Sequence, residues 1–153
     1  KRCSEFITLD EDALLTPLPI DESISSLSAI LLNEAYYELL KSGQVNIDGI
    51  SVLKETCLIP FKAKAWLDLS ERKANGESVD SKNIKKHKND VFRLAQLILP
   101  ETRQGLCAEI AGDMRKFLSE MENEDIDLKS IGVRGADKKR ILTILYQCYG
   151  LAK

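Results

Sequence analysis

Apolar residues recur at helical spacing along most of this chain. Ile24, Leu27, Leu31, Ala35 and Leu39 mark one face of a helix expected over 23–41, with Asp21 or Ser23 to cap its start and Gly43 to close its end. Residues 45–52 then alternate apolar and polar side chains around Asp48-Gly49, the strongest short hairpin signal. A second helix is expected over 57–73, with Pro60 tolerated in the first turn, where amide hydrogens lack intrahelical acceptors. A third runs from Asp80 or Ser81 to about Leu99 and stops at Pro100. The fourth, over 104–121, carries the stripe Cys107, Ile110, Met114, Phe117 and Met121, and residues 125–135 read as irregular. A last helix starts at Asp137 and places Ile141, Ile144, Leu145 and Cys148 on one side.

Ahead of these elements, Phe6-Ile7-Thr8-Leu9 reads as a strand, and residues 10–21, with Pro17 and Pro19, as a connector. A lone strand is not stable, so the chain reads as part of a longer protein whose upstream portion holds a sheet. The expected fold is mainly α: about five helices with a small strand or hairpin element. Residues 1–21 would close an upstream domain and 22–153 would form the helical one.

Composition narrows the class. In 153 residues, 44% are apolar and 30% charged, which suits a folded domain rather than a disordered tail. No apolar run approaches the roughly 20 residues that cross a bilayer, and no signal peptide is recognisable, so a cytoplasmic protein without membrane contact is expected. The four cysteines form no Cys-x-x-Cys pair; Cys57, Cys107 and Cys148 lie among apolar residues and read as small core side chains. With a net charge of −2, any attraction to nucleic acid must come from a local patch.

Polar residues on apolar faces are the places where chemistry can enter. On the second helix, Leu58, Ile59, Ala63, Ala65, Trp66 and Leu69 fill one arc, and Lys62 falls in its middle. A lysine so placed snorkels, pairs with an acid, or meets a ligand anion. Lys64 projects from the opposite side, with Asp68 at i+4 as a surface partner. On the third helix, His87 joins the stripe of Ile84, Val91, Leu94, Ala95 and Ile98, the usual setting of a core histidine. Asp90 borders that stripe, where it can pair with Lys86 at i−4 or hydrogen-bond the imidazole, and Lys85-Lys86-His87-Lys88 forms a basic edge.

Asp10-Glu11-Asp12 has no strand to align its carboxylates on metal ions; alternation at Asp125-Ile126-Asp127 suits a strand, but Asp113 follows the upstream Gly112 where a phosphate loop is wanted, and both groups read as turn and cap acids. No phosphate-binding glycine loop, nucleophile elbow or second histidine is present. No catalytic residue or metal site is therefore assigned within the chain.

From Leu58 to Leu97, the succession Leu-Ile-Pro-Phe-Lys62-Ala-Lys-Ala, Leu-Asp-Leu-Ser-Glu-Arg72-Lys and Lys86-His87-Lys-Asn-Asp90-Val-Phe-Arg93-Leu resembles the C-terminal motifs of abortive-infection nucleotidyltransferases. These are DNA polymerase β-like α+β enzymes, several of them toxins of toxin–antitoxin pairs. Lys62 matches the family's lysine, Arg72 its first arginine and Asp90 its second aspartate; Lys86 stands where an arginine is usual and His87 where an aspartate is. The resemblance implies an NTP-positioning helical domain. Lys62, Arg72, Lys86 and Asp90 would act on the nucleotide, with His87 and Arg93 as secondary candidates. It further implies Mg²⁺ and NTP for the full-length enzyme, an RNA or protein acceptor and an antitoxin partner, with the metal-binding half outside this chain. The rival expectation is a non-catalytic helical interaction module, or a degenerate transferase kept as a binding protein.

Overall fold

The computed structural model describes Ile30 and residues 33–151. The expected strand at Phe6–Leu9, the connector, the acids Asp10–Asp12 and Cys3 lie outside them. Among the described residues, five helices and one hairpin follow in order from Glu34: α1 (Glu34–Gly43), β1 (Gln44–Ile47), β2 (Ile50–Leu53), α2 (Glu55–Ala74), α3 (Ser81–Ala95), α4 (Ala108–Asn123) and α5 (Lys138–Cys148). The mainly helical class with a small β element is as expected.

Side-chain caps set three helix starts. The carboxylates of Asp80 and Asp137 accept from the amides of Lys82 and Arg140, at 2.8 and 2.7 Å, ahead of α3 and α5. Asn33 does the same for Tyr36, and its extended backbone (ψ 126°) places the start of α1 at Glu34 rather than inside a continuous helix from residue 23. The hairpin pairs β1 and β2 antiparallel, Ile47 opposite Ile50, and Asp48 and Gly49 both take positive φ, 51° and 82°. Gly43 does not act as a conformational stop. It ends α1 where a Cβ would lie 2.6 Å from Cys57, so it admits the start of α2 against α1.

Two ends differ from expectation. α3 stops at Ala95 rather than Leu99, because the chain tightens into i→i−3 bonds at Gln96, Leu97 and Ile98. Pro100 then disfavours helical backbone at Leu99. α4 begins at Ala108 rather than Gln104, because Gln104 bonds elsewhere: its amide donates to the Cys148 carbonyl at 2.8 Å, and its side-chain oxygen accepts from the Thr56 hydroxyl. Cys107 is consequently an exposed N-cap and not a core residue, whereas Cys57 and Cys148 are buried as expected.

α2 is the central element. α1, α3 and α4 pack around it, and α5 packs on α3 and α4. One core joins Ile59, Ala63 and Trp66 of α2 to Val91 and Phe92 of α3 and to Met114 and Phe117 of α4; the Trp66 and Phe117 rings meet edge to face at 5.5 Å. A second, smaller core places Cys57, Phe61 and Ala65 against Tyr36 and Leu39 of α1 and Ile110 of α4.

Pro60 is the sixth residue of α2, beyond the first turn, so its missing amide deprives the Thr56 carbonyl of its i→i−4 donor. The buried Tyr149 hydroxyl supplies the replacement, donating to that carbonyl at 2.9 Å. Tyr149→Phe is therefore expected to lower stability by about 1–3 kcal/mol in urea unfolding, the cost of an unsatisfied buried carbonyl. In a Pro60→Ala background, where residue 60 can donate again, the loss should shrink to well under half. An equal loss in both backgrounds would contradict this assignment.

Candidate functional site

Lys62 and Asp90, on neighbouring helices, meet. The Lys62 ammonium lies 3.0 Å from Asp90 Oδ2, bridging α2 and α3, and the side chains keep 16% and 21% of their exposure. The other oxygen of Asp90 accepts from Arg93 at 3.2 Å, and Arg93 Nε also donates to the Ile131 carbonyl at 3.1 Å. Lys62, Asp90 and Arg93 thus form a relay tying α2, α3 and the loop before α5, at the edge of the core and still reachable from solvent. A lysine midway along an apolar arc is resolved here by pairing with an acid.

The remaining sequence candidates do not join this group. Arg72 bonds Glu77 at 2.7 Å, and both side chains are largely exposed. Ten residues of helix separate Arg72 from Lys62, a rise of about 15 Å. Lys86 is exposed, and Asp90 turns to Lys62 and Arg93 instead of forming the expected i, i+4 pair with it. His87 is fully buried in α3, which makes it a core residue as its stripe position indicates. The basic edge divides: Lys85 and Lys86 face solvent, while Lys88 is mostly buried and pairs with Glu124. Asp127 accepts from the Ser130 amide at 3.2 Å and so closes a turn, as read from the sequence.

Lys64 departs most from expectation. It pairs with Asp68 at 3.3 Å, as its spacing predicts, but it also reaches Asp113 of α4 at 3.4 Å, and only 28% of its side chain is exposed. Asp113 accepts in addition from the buried Tyr36 hydroxyl of α1 at 3.0 Å. This second polar group, which holds α1, α2 and α4 together, was legible in part: Cys57, Phe61 and Ala65, four residues apart, form a second apolar stripe beside Lys64. That stripe implies a helix covered on both sides. Nothing local to Asp113 or Tyr36 marks them as its partners.

Burial alone would pull the Lys64 pKa down, but the carboxylates of Asp68 and Asp113 outweigh it and hold the ammonium above the ordinary lysine value. Burial, reinforced by Asp113, pushes the Tyr36 hydroxyl far above the usual tyrosine range. Burial likewise raises the Cys57 and Cys148 thiols, which makes them poor nucleophiles.

Among the described residues, no three His, Cys, Asp or Glu side chains converge where they could hold a metal ion, and Asp90 already faces two cations. These residues do not fit a Mg²⁺ ion, and no step is assigned to one. No described helix is long and apolar enough to cross a membrane. Comparison of the chain with protein-family models, with curated proteins and with solved structures finds no match in any of the three.

The Tyr36–Asp113–Lys64 group makes stability depend on pH on the alkaline side. Both Tyr36 and Lys64 hold their protons more tightly folded than unfolded. Their contribution is therefore complete below the ordinary values of 10.0 and 10.5 and is lost as pH rises beyond them. Urea unfolding from about pH 9 upward should show falling stability, and Tyr36→Phe should flatten the slope by about 1.4 kcal/mol per pH unit, one proton's worth. An unchanged slope would show that Tyr36 ionises freely in the folded state.

Proposed function

We propose that this chain is the nucleotide-positioning helical part of a cytoplasmic nucleotidyltransferase, with Lys62 contacting the triphosphate and Asp90 orienting Lys62. The carboxylates that bind metal would lie on sequence outside it. The observation that carries this reading is the Lys62–Asp90 bridge, which brings together two of the four positions that the resemblance assigns to the nucleotide. Phosphoryl transfer depends mainly on positioning and on neutralising phosphate charge. An ammonium with three donors, one of them directed to Asp90, retains two for phosphate oxygens. Arg93 on the second Asp90 oxygen keeps that carboxylate compensated when Lys62 turns towards a ligand. Arg72, Lys86 and His87 carry no part of this proposal. Mg²⁺, the NTP, an RNA acceptor and an antitoxin belong to the proposal for the whole enzyme.

One observation favours the interaction-module reading. Val45 and Ile47 of β1 share a face with Ile50 and Val52 of β2, and Ile47 and Ile50 are 56% and 68% exposed. An exposed apolar face suits a protein contact. The two readings separate at Lys62, which only the first requires.

Titration of a fluorescent NTP analogue should show Lys62→Ala losing about 2–5 kcal/mol of binding free energy, the range for removing one partner of a desolvated charge contact. Lys64→Ala should bind like wild type yet melt earlier, losing about 1 kcal/mol after allowance for its partial exposure. Because Lys62→Ala also breaks an ion pair, Lys62→Met/Asp90→Asn is the control: its melting should approach wild type while NTP binding stays lost. With labelled NTP, Mg²⁺ or Mn²⁺ and mixed RNA, the chain alone should transfer nothing. Nucleotide binding that survives in both Lys62 variants, or robust transfer by the chain alone, would overturn the reading.

A further inference from the structure

The last turns of α2 and the first turns of α3 enclose an open groove of about 650 Å³ that lies apart from the Lys62–Asp90 bridge. Trp66 and Ile84 form its apolar floor. Among the described residues, Lys73, Lys85 and Lys88 line it against a single carboxylate, Glu124, so this lining carries an excess of positive charge on a chain that is acidic overall.

The three lysines are not equivalent. Lys88 is mostly buried and neutralised by Glu124. Lys73 is exposed and donates to the Ser81 hydroxyl at 2.6 Å, which anchors the ammonium at the groove and leaves it further donors. Lys85 is exposed and makes no ion pair with a described residue. Two held or available ammonium groups over an apolar floor suit a ligand that combines phosphates with sugar and base surface.

The groove's position narrows the choice. Lys62, Trp66 and Lys73 lie within a narrow arc of α2, since eleven residues make just over three full turns. Lys73 therefore stands about 16 Å along the same face from Lys62. If Lys62 holds the incoming nucleotide, the acceptor's end must come to that point and the strand behind it can run along this face into the groove. We propose that the groove binds the phosphodiester backbone of a single-stranded RNA acceptor, with Lys73 and Lys85 as its phosphate contacts. The identity of the strand as acceptor rests on the function proposed above; the cationic groove does not.

The test is fluorescence anisotropy of a labelled, mixed-sequence single-stranded RNA with the full chain across a salt series, without NTP. Wild type should bind weakly, and affinity should fall steeply with salt. Lys73→Gln/Lys85→Gln should weaken binding roughly tenfold at low salt and reduce the slope of log K against log salt by about 1.4, about 0.7 for each phosphate contact on a single strand. Both side chains are exposed, so this variant should melt with wild type. A control pair at exposed lysines elsewhere, Lys116→Gln/Lys139→Gln, should bind within about twofold of wild type. Equal losses in the two pairs, no RNA binding by wild type, or competition by poly-glutamate as effective as unlabelled RNA would overturn the proposal. The RNA titration contains no NTP and leaves Lys62 unsubstituted. Failure of nucleotide binding at Lys62 and failure of the groove are thereby read separately.

Discussion

Lys62 and Lys64 stand two residues apart on a helix covered from both sides, and each charge is met by a carboxylate from a different neighbour. Asp90 of α3 answers Lys62, and Asp113 of α4 answers Lys64 with help from Asp68. A partly buried ammonium without an acid would be costly, so these pairs restrict how α3 and α4 can sit on α2. Apolar packing supplies most of the driving force. Ion pairs of this kind add direction: an alternative packing that parted Lys64 from Asp113 would also strip the Tyr36 hydroxyl of its acceptor. The Pro60 site shows the same dependence on distant chain, since a defect in α2 is repaired by Tyr149, just beyond α5.

Local signals in the sequence were reliable where the physics is local. Asp80 and Asp137 cap the helices they precede, Asp48-Gly49 makes the hairpin turn, and the stripe of Ile110, Met114, Phe117 and Met121 is buried. Boundaries failed where a distant group intervened. Gln104 looks helical until its amide is seen on Cys148, and Cys107 looks buried until α4 starts beyond it. The i+4 spacing places Asp68 beside Lys64, but a helical wheel cannot show that a third helix brings a second acid. Phe92 is fully buried because the covered face of α3 is wider than the stripe that the apolar spacing marks. At the candidate site, Lys62 and Asp90 were each picked out by their place on an apolar face, whereas their contact depends on the pairing of two helices. Arg72 and Lys86 were carried by motif position alone, and the fold leaves them away from that contact.

The two lysines divide the labour of α2 in the proposed function. Lys64 sits among three helices with its charge matched on two sides, the setting of a residue that holds a fold. Lys62, though less exposed than Lys64 (16% against 28%), has one direct acid partner among the described residues, itself backed by Arg93. An ammonium with a single acid partner can exchange it for a phosphate at small structural cost, because Arg93 remains on Asp90. The groove around Lys73 and Lys85 extends the same face of α2, so nucleotide and acceptor would approach along one helix.

The most direct measurement observes the two ammonium groups themselves. In isotope-labelled protein, the lysine Nζ resonances of residues 62 and 64 can be followed while each NTP is added. The account predicts that the Lys62 signal shifts with saturation as its partner changes from Asp90 to phosphate, while the Lys64 signal stays in place. A Lys62 signal that does not respond to any NTP, or a Lys64 signal that moves as far, would contradict it.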